Sequence, residues 1–369
     1  MRRSWMFIAL LGCGSRSASG GEGLLDQPEV GYQITLTTTV GRGEEQFRCF
    51  YFQPSPNEDV DVMSWESRYS DGSHHLLVYL TDLLAPPVEG VHDCGANMDT
   101  NVRGIAFGAQ TTEAATAYPE GVAMHIGAGD VLLFQMHYID VDLAGPFDAE
   151  ATVNLYYAEP GTVEHEAGVL FFYAPDFTLA EGVGVPSSTS LGCPIPRDVQ
   201  LLDAGSHMHR RGVGFAAYHV GVAGSEGTLL FQTDDWVDPD PAMYRPPVLL
   251  RSGDHVDFTC DFVNDRDFPV TEGSSAEFNE MCIFMGTYYP KLDPFSEFCL
   301  GAQLRGNATC GETVDCIVAC GSTSECLENC VGAACPGAAD ELGALSVCVE
   351  DHGQLGCSAE LQACEDSGC

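Results

Sequence analysis

Short runs of alternating apolar and polar residues cover most of the chain between residues 31 and 290. Their β-branched and aromatic content, broken by Gly, Pro and Asp, is typical of antiparallel strands. The first group of runs is YQITLTTTV, FRCFYFQP, HLLVYL, VLLFQMHYIDV and ATVNLYYA, and the second is VLFFYA, VQLLDAGSHMH, GVGFAAYHVGV, GTLLFQ, HVDFTCDF and MCIFMGTYYP. The linker AEPGTVEHE, near residues 158–166, separates them. We predict an all-β fold of two tandem antiparallel, jelly-roll-like sandwiches, at residues 28–160 and 161–303, each large enough for its own core.

The N-terminal residues have the pattern of a targeting segment rather than of a fold. Two arginines precede a short apolar stretch, and the sequence LLGC, which ends at Cys13, resembles a bacterial lipobox. We expect residues 1–12 to be a signal peptide, Cys13 to carry a lipid, and the Gly- and Ser-rich residues 13–27 to form a flexible tether. An ordinary secretory signal with an incidental cysteine is the alternative. Both interpretations predict export, as an outer-membrane lipoprotein or as an extracellular protein.

The cysteine content agrees with export. Of the 17 cysteines, removal of Cys13 leaves an even number, as full disulfide pairing in an oxidising compartment requires. Ten lie in the last part of the chain, residues 304–369, where two CxxxC pairs have the spacing of one helix face: Cys316 with Cys320, and Cys326 with Cys330. We predict a small helical tail held by disulfides. A zinc or iron–sulfur site in this tail is the alternative, which export disfavours.

The charge balance limits the partners. The chain has 54 acidic residues against 15 Lys and Arg, of which Lys291 is the only lysine, and its formal net charge is −39. Such a surface repels nucleic acid and anionic headgroups. We therefore expect no nucleic-acid partner, membrane attachment only through a lipid anchor, and a neutral or cationic small molecule rather than an anionic one as substrate.

Histidine motifs supply the candidate chemistry. In a strand, residues two apart share a face, so His207 and His209 can converge on one ion while Met208 points away. His74 and His75 are adjacent, and both reach one ion only at a strand end or a bulge. The preceding sequence SDGS supplies a turn at that place. Each motif alone is common by chance, and a lone strand histidine is more often structural.

Two further candidates complete two sets. His137 lies in an apolar run, and Met281 lies in AEFNEMCIFMGTYYP. Imidazole suits zinc, copper, iron and nickel, whereas a thioether selects copper, above all Cu(I). The chain order gives one set of three histidines (His74, His75, His137) and one of two histidines with a methionine (His207, His209, Met281). We interpret these sets as two separate copper sites of unequal softness.

The phrases SHHLLVYL, YPEGVAMHIGAGDVLLFQMHYID, GSHMHRRG and FNEMCIFMGTYYP resemble the copper type II, ascorbate-dependent monooxygenases, the family of dopamine β-hydroxylase and the peptidylglycine α-hydroxylating monooxygenases. The resemblance extends from about Gln46 to Cys299, in the family's order. It implies that the three-histidine set stores an electron, and that His207, His209 and Met281 form the catalytic copper site, which binds O2. It also implies one copper per domain, across an open, solvent-filled cleft.

The resemblance implies further assignments. By position, the body cysteines match three bridges of the family: Cys49 to Cys94, Cys193 to Cys299, and Cys260 to Cys282. Gln135, Tyr79 and Asn279 occupy positions that would line the cleft. The peptide-amidating branch has a substrate-binding arginine two residues before its His-x-His motif, where this chain has Gly205. A glycine-extended peptide is therefore not the expected substrate.

The function that these observations favour is copper-dependent hydroxylation of a C–H bond of a small organic substrate, with O2 and with ascorbate or another one-electron reductant. A copper-binding, storage or electron-transfer lipoprotein without turnover is the first alternative. A zinc hydrolase is the second, and it is disfavoured by Met281 and by the lack of a Glu or Asp base beside the histidine pairs.

Overall fold

The computed structural model describes residues 24–94, 102–139, 146–221, 227–292, 294–299, 304, 306–320, 324–338, 341–345, 348 and 357–368. The predicted signal peptide and Cys13 lie outside this part of the chain. Within it, the predicted all-β class and the helical, disulfide-bonded tail are confirmed. None of the described helices is long and apolar enough to cross a membrane.

The first group of runs forms two sheets. Its strands are β1 (Gly31–Val40), β2 (Glu45–Phe52), β3 (Val60–Tyr69), β4 (Ser73–Thr81), β5 (His92–Asp93), β6 (Val102–Ala109), β7 (Glu113–Ala117), β8 (Val122–Ile126), β9 (Leu132–Ile139), β10 (Phe147–Tyr157) and β11 (His165–Glu166). The first outer sheet has the order β1-β10-β3-β8-β11, with β7 also on β3, and the first inner sheet has the order β5-β2-β9-β4-β6. All these pairs are antiparallel except β11 with β8.

The second group forms another two-layer unit. Its strands are β12 (Gly168–Tyr173), β13 (Thr178–Leu179), β14 (Pro186–Pro194), β15 (Val199–His207), β16 (Gly212–Val220), β17 (Thr228–Thr233), β18 (Ala242–Leu250), β19 (His255–Val263), β20 (Val270–Thr271) and β21 (Ile283–Tyr289). The second inner sheet has the order β12-β21-β15-β18, and the second outer sheet has the order β14-β19-β16-β17. A small ribbon pairs β13 with β20.

Each sandwich has its own core, and a third apolar cluster joins the two halves. In this cluster Tyr51, Tyr79 and Leu133 of the first inner sheet pack with Phe171 and Ile283 of the second inner sheet. Sheet-on-sheet packing of this kind removes apolar area from water on both faces of the first inner sheet. The two inner sheets therefore face each other across the molecule.

The burial of the strands reflects this layering. Strand β19 alternates between exposed and buried positions because one of its faces meets solvent. In β9, by contrast, every residue from Leu132 to Tyr138 is buried. Its even-numbered side chains enter the first core, and Leu133 on the opposite face enters the apolar cluster between the halves. This second face also carries the predicted site residues Gln135 and His137, which share one parity as predicted.

The tail is helical and cross-linked. Its helices are α2 (Cys310–Cys320), α3 (Ser324–Ala333) and a C-terminal helix (Ser358–Asp366), and a short helix α1 (Pro294–Glu297) precedes them. The Cys316–Cys330 bridge joins α2 to α3, and the Cys310–Cys364 bridge joins α2 to the C-terminal helix. A further bridge joins Cys348 to Cys357. Oxidised cysteines do not bind metal as thiolates, so these pairs agree with the disulfide interpretation of the tail.

The three bridges expected in the body are also present. They join Cys49 to Cys94, Cys193 to Cys299, and Cys260 to Cys282. Extensive disulfide bonding is a property of proteins that fold in an oxidising, exported environment.

Candidate metal centre

The first half presents two of its histidines through strand register. On the face of the first inner sheet that meets the second half, Phe47, His137 and His75 lie opposite one another on β2, β9 and β4. The ring of Phe47 stacks on that of His137, with centroids 4.0 Å apart. The next rows toward the apolar cluster are Cys49–Gln135–Leu77 and Tyr51–Leu133–Tyr79. The histidine row is therefore the most polar row of a mostly apolar face.

His74 reaches the same place through a bulge. The register of β4 with β9 shifts between Ser73 and His75, which leaves His74 as the extra residue. The turn before it contains Gly72, whose φ of +86° lies in the left-handed region that glycine tolerates. The bulge that two adjacent ligands require is thus present, at the predicted position.

The second half presents its histidines at a strand end. His207 is the last residue of β15, and His209 follows the strand. Met208, between them, is buried in the core of the second sandwich, so it points away from the two histidines as predicted.

All five imidazoles meet in one cluster between the halves. The ring centroid of His74 is 5.0 Å from that of His207 and 5.9 Å from that of His209. The centroid of His75 is 4.8 Å from that of His207 and 5.0 Å from that of His137. No solvent-filled gap separates the described rings of the two sets, so the expected open cleft is not present in this structure. Chain order could not reveal this, because it does not encode how the halves close on each other.

Burial keeps the cluster neutral. His74, His137, His207 and His209 are buried, with His137 fully so. Burial, reinforced by the neighbouring imidazoles, holds the pKa values of His74, His75 and His207 well below the usual histidine range. Burial lowers the pKa of His209 to about 3. Neutral imidazoles keep the lone pair that a metal ion needs.

The cluster contains nitrogens that nothing in the protein satisfies. His74 Nε2, His75 Nδ1 and His207 Nε2 are buried without a hydrogen-bond partner. A buried polar atom without a partner costs about 1–3 kcal/mol, so native proteins rarely keep several in one place. Imidazole nitrogens suit copper, zinc, iron and nickel. The donor set therefore fits a metal ion of this class. Ligand atoms of His74, His207 and His209 also lie within 4.8 Å of one another, close enough to hold an ion.

Glu45, which sequence reasoning missed, fixes His137 from β2. Its Oε1 lies 2.9 Å from His137 Nε2, and it also accepts hydrogen bonds from Ser275 Oγ and Ala276 N of the second half. Burial opposes ionisation of Glu45, but the hydrogen bonds from His137, Ser275 and Ala276 prevail and lower its pKa to about 2. The ionised carboxylate requires the proton on His137 Nε2, which leaves Nδ1, 3.3 Å from His75 Nε2, with the lone pair.

Gln110, also missed, fixes His207 from the first half. The Nε2 of Gln110 donates to the carbonyl of Trp236, at 2.6 Å, so its Oε1 faces His207 Nδ1, at 2.8 Å. Because that oxygen accepts the Nδ1 proton, the lone pair of His207 lies on Nε2. Neither Glu45 nor Gln110 lies in a recognisable motif, so the sequence alone does not single them out.

Glu280 and Arg211 hold the strand-end turn of the second half. Oε2 of Glu280 accepts from His209 N at 3.1 Å, and Oε1 accepts from Arg211 N at 2.8 Å. The Arg211 guanidinium lies 3.3 Å from the same carboxylate and 2.6 Å from that of Asp265. Burial raises the pKa of Glu280 to about 7, although Arg211 opposes this rise. His209 Nδ1 is 3.3 Å from the carbonyl oxygen of Asn279, which leaves the lone pair of this imidazole on Nε2.

Met281 lies beside this turn. Its side chain is partly buried and packs against the apolar cluster between the halves. Strands β15 and β21 pair His207 with Ile283, and continuation of this antiparallel register would place Met281 across from His209. The Cys260–Cys282 bridge anchors Cys282, the residue that follows Met281. The role of Met281 as a metal ligand stays a prediction.

The predicted cleft residues lie in different surroundings. Tyr79 and Gln135 are buried in the contact between the halves, where the Tyr79 hydroxyl donates to Gln135 Oε1 at 3.1 Å. The amide of Gln135 faces the Cys49–Cys94 bridge. Asn279 bonds Thr271 through its side chain and His209 through its carbonyl. In this structure the second half covers Tyr79 and Gln135. The position of Tyr79, Gln135 and Asn279 along a cleft stays a prediction.

Comparison with known proteins gives a partial match. Residues 186–304 match the family model described as copper type II ascorbate-dependent monooxygenase, C-terminal domain. This segment contains His207, His209, Met281 and the Cys193–Cys299 and Cys260–Cys282 bridges. It supports a relationship of this chain to that monooxygenase family. None of the curated proteins searched matches the chain.

Solved structures give only distant likenesses. The major capsid protein of bacteriophage PM2 is 11% identical, with a TM-score of 0.28, over 70% of this chain and 97% of that one. A cowpea mosaic virus empty particle is 7% identical, with a TM-score of 0.29, over 71% of this chain and 90% of that one. Likeness at these scores carries no inference about function.

Proposed function

We propose that the protein is a copper-dependent monooxygenase that hydroxylates a C–H bond of a small organic substrate, with O2 and with ascorbate or another one-electron reductant. The observation that carries the proposal is the buried cluster of five neutral imidazoles, several of whose nitrogens have no partner within the protein. The match of residues 186–304 to the monooxygenase family supports copper as the metal.

The residues that would hold copper are the two sets from the sequence. His74, His75 and His137 would hold one ion through nitrogen alone, and His207, His209 and Met281 would hold a second with one sulfur ligand. Bound copper would supply one-electron redox chemistry and activation of O2. The protein groups around the ligands set their protonation. Glu45 fixes the proton of His137 on Nε2, Gln110 fixes that of His207 on Nδ1, and the Asn279 carbonyl fixes that of His209 on Nδ1.

The proposed substrate class follows from two features of the chain, the residue at position 205 and the acidic surface. Gly205 stands where an arginine would bind a peptide carboxylate, and the acidic surface disfavours anions. A neutral or cationic small molecule is therefore the proposed substrate.

We also propose that Cys13 is lipidated after removal of residues 1–12, so that the enzyme is attached to the cell envelope. The LLGC sequence supports this attachment. Mass spectrometry of the mature N-terminus tests it, and an unmodified N-terminus on protein released without detergent would exclude it.

A second candidate is a copper-binding protein without turnover. The closed packing of the described imidazoles favours this candidate, because a buried ion without an open position cannot take up O2. One experiment separates the two: oxygen uptake by the copper-loaded full chain with ascorbate, during a screen of small amines and aromatics. Copper-dependent uptake that a substrate stimulates supports the monooxygenase, and tight copper binding without uptake supports the second candidate.

Met281 supplies a sharper form of the same test. The Met281→Ile variant should keep the copper held by histidines alone and lose oxygen uptake. Met285→Ile, on β21 in the same apolar cluster, is the matched control and should keep it. Full activity of Met281→Ile would contradict the role assigned to the thioether.

A further inference from the structure

The strand that ends at His207 directs two more residues toward the first half. Ala204 and Met208, on either side of this stretch, lie in the core of the second sandwich. Since neighbouring residues of a strand point to opposite faces, Asp203 and Gly205 share with His207 the face that meets the first half. The register of β15 with its neighbours shifts before Asp203 and is regular from there to His207. Asp203 and Gly205 therefore lie in line with a proposed copper ligand.

Asp203 is an acid without a basic partner. Its Oδ1 accepts a hydrogen bond from Thr287 N at 2.8 Å. Within the described part of the chain, no Lys, Arg or His forms an ion pair with this partly buried carboxylate. Burial raises the pKa of the Asp203 carboxyl, although the hydrogen bonds from Thr287 oppose the rise. Carboxylates that are withdrawn from water are normally paired, so Asp203 can take a cation from outside the protein.

The surroundings of Asp203 are apolar and open on one side. Met243 of β18 pairs with Asp203, and Met285 of β21 pairs with Gly205, so both thioethers flank the same face. A β-carbon added at Gly205 would have one neighbour within 4 Å, the Pro241 β-carbon at 3.9 Å, so the space over Gly205 is unfilled. Met243 is 45% exposed, since β18 is the edge strand of the second inner sheet. This edge gives a small molecule access to the face.

We propose that Asp203 binds the ammonium group of the substrate, while the apolar body of the substrate lies over Gly205 and extends toward His207. The ligand class is an amine with an apolar chain or ring. Four strand residues span about 13 Å, so the reacting C–H bond lies several bonds from the nitrogen. The proposal rests on the proposed function for the reaction, but binding of an amine through Asp203 needs no copper. Both sets of copper ligands stay as assigned, because none of them binds the ammonium group.

Binding of amines to the metal-free full chain tests this assignment. Calorimetric titration would compare phenylbutylamine with phenylbutanol and phenylbutanoate, which have the same apolar body and differ in charge. We expect the amine to bind at least about tenfold more tightly than the alcohol, because a hydrogen bond to a charged group is the stronger one. The carboxylate should not bind. Asp203→Asn keeps an oxygen that can accept from Thr287 N, and it should abolish the preference for the amine without a change in affinity for the alcohol.

The matched control is Asp257→Asn. It removes the same charge from an exposed position of β19, in the second outer sheet, and should leave the preference for the amine intact. An equal loss in both variants would assign the preference to the acidic surface as a whole and overturn the proposal. Equal affinity of the unaltered protein for the amine and the alcohol, or no binding of the amine, would also overturn it.

Gly205→Leu gives a second test, which holds even if Asp203→Asn does not fold. The added side chain would occupy the space over Gly205, so binding of the amine and of the alcohol should both be lost, whereas copper affinity should not change. Unchanged amine binding would contradict the proposed location. Oxygen uptake separates the two proposals. Amine binding through Asp203 without uptake would refute only the enzyme, and turnover that Asp203→Asn leaves unchanged would refute only the amine site.

Discussion

The two halves position their histidines by different means. In the first half, His75 and His137 lie opposite each other on paired strands, and His74 is displaced by a bulge. In the second half, His207 and His209 lie at and beyond a strand end, where a buried ion pair, a glutamine from the other half and a nearby disulfide hold them. Sheet register thus sets one part of the site, and a polar network sets the other. Substitutions that spare the strands should therefore affect the halves unequally.

The largest expected effect is the acid sensitivity of the metal-free protein. The buried imidazoles have lowered pKa values, so below about pH 6.5 the unfolded chain binds protons that the folded chain does not. Stability should therefore fall as the pH falls, by up to about 1.4 kcal/mol per pH unit for each such histidine. Urea unfolding of chelator-treated protein between about pH 7 and pH 5 measures the slope.

The same titration compares the halves. His209→Gln should reduce the change in unfolding free energy per pH unit by the contribution of about one proton. His137→Gln should reduce it less, because burial lowers the pKa of His137 while Glu45 raises it. A slope that neither variant changes would contradict neutral burial of these rings.

Next in size is the buried ion pair of the second half. Arg211→Met should destabilise the protein by about 3–5 kcal/mol, because it removes the buried guanidinium from Glu280, from Asp265 and from the Glu277 carbonyl at once. The control is Arg210→Met, since Arg210 is about half-exposed and pairs with acidic residues at the surface. Its loss should cost no more than about 1 kcal/mol. Denaturant unfolding at constant pH measures both, and equal effects would refute a special role for the buried pair.

The disulfide beside Met281 should have a somewhat smaller effect. Removal of the Cys260–Cys282 bridge by a double Cys→Ala change opens a loop of 22 residues, at a cost of about 3 kcal/mol. It should also weaken copper binding at His207, His209 and Met281. The Cys348–Cys357 bridge of the tail is the control, and its loss should leave copper affinity unchanged. Calorimetric titration with copper would show whether the two variants differ.

The smallest expected effect concerns the first half. Glu45→Leu removes the acceptor that fixes the His137 tautomer and should lower copper affinity by about 10- to 100-fold. The neighbouring Glu44 bonds Gly41 and Gln46 at the surface, so Glu44→Leu is a matched control and should have no effect. Competition with a copper chelator measures both variants. Equal affinity of the two would show that strand register alone suffices to orient His137.

Much of the architecture could be predicted because it depends on local patterns. The alternation of apolar and polar residues predicted the strands, and the two-residue spacing of Gln135 and His137 in β9 predicted that they share one face. The turn before His74 favoured a bulge, and the orientation of Met208 away from the two histidines followed from strand geometry. The pairings of the body cysteines came from family resemblance.

The grouping of the ligands depends on contacts that no local pattern encodes. Whether His74 lies nearer to His75 or to His207 is decided by how the inner sheets pack, through residues as dispersed as Tyr51, Phe171 and Ile283. The supporting side chains Glu45 and Gln110 act across the halves, so their roles are visible only once the halves are together.

The apolar contact between the inner sheets has a consequence for protein engineering. Division of the gene near residue 160 would give two protein fragments. Each would have an intact core, and each would expose to water the apolar face that the other half covers in the full chain. Such fragments would aggregate or reassociate rather than behave as free modules, and any graft of one half onto another scaffold must bring a cover for that face. Substitutions on the contact face of one inner sheet are likewise limited, because they must preserve its packing against the other inner sheet.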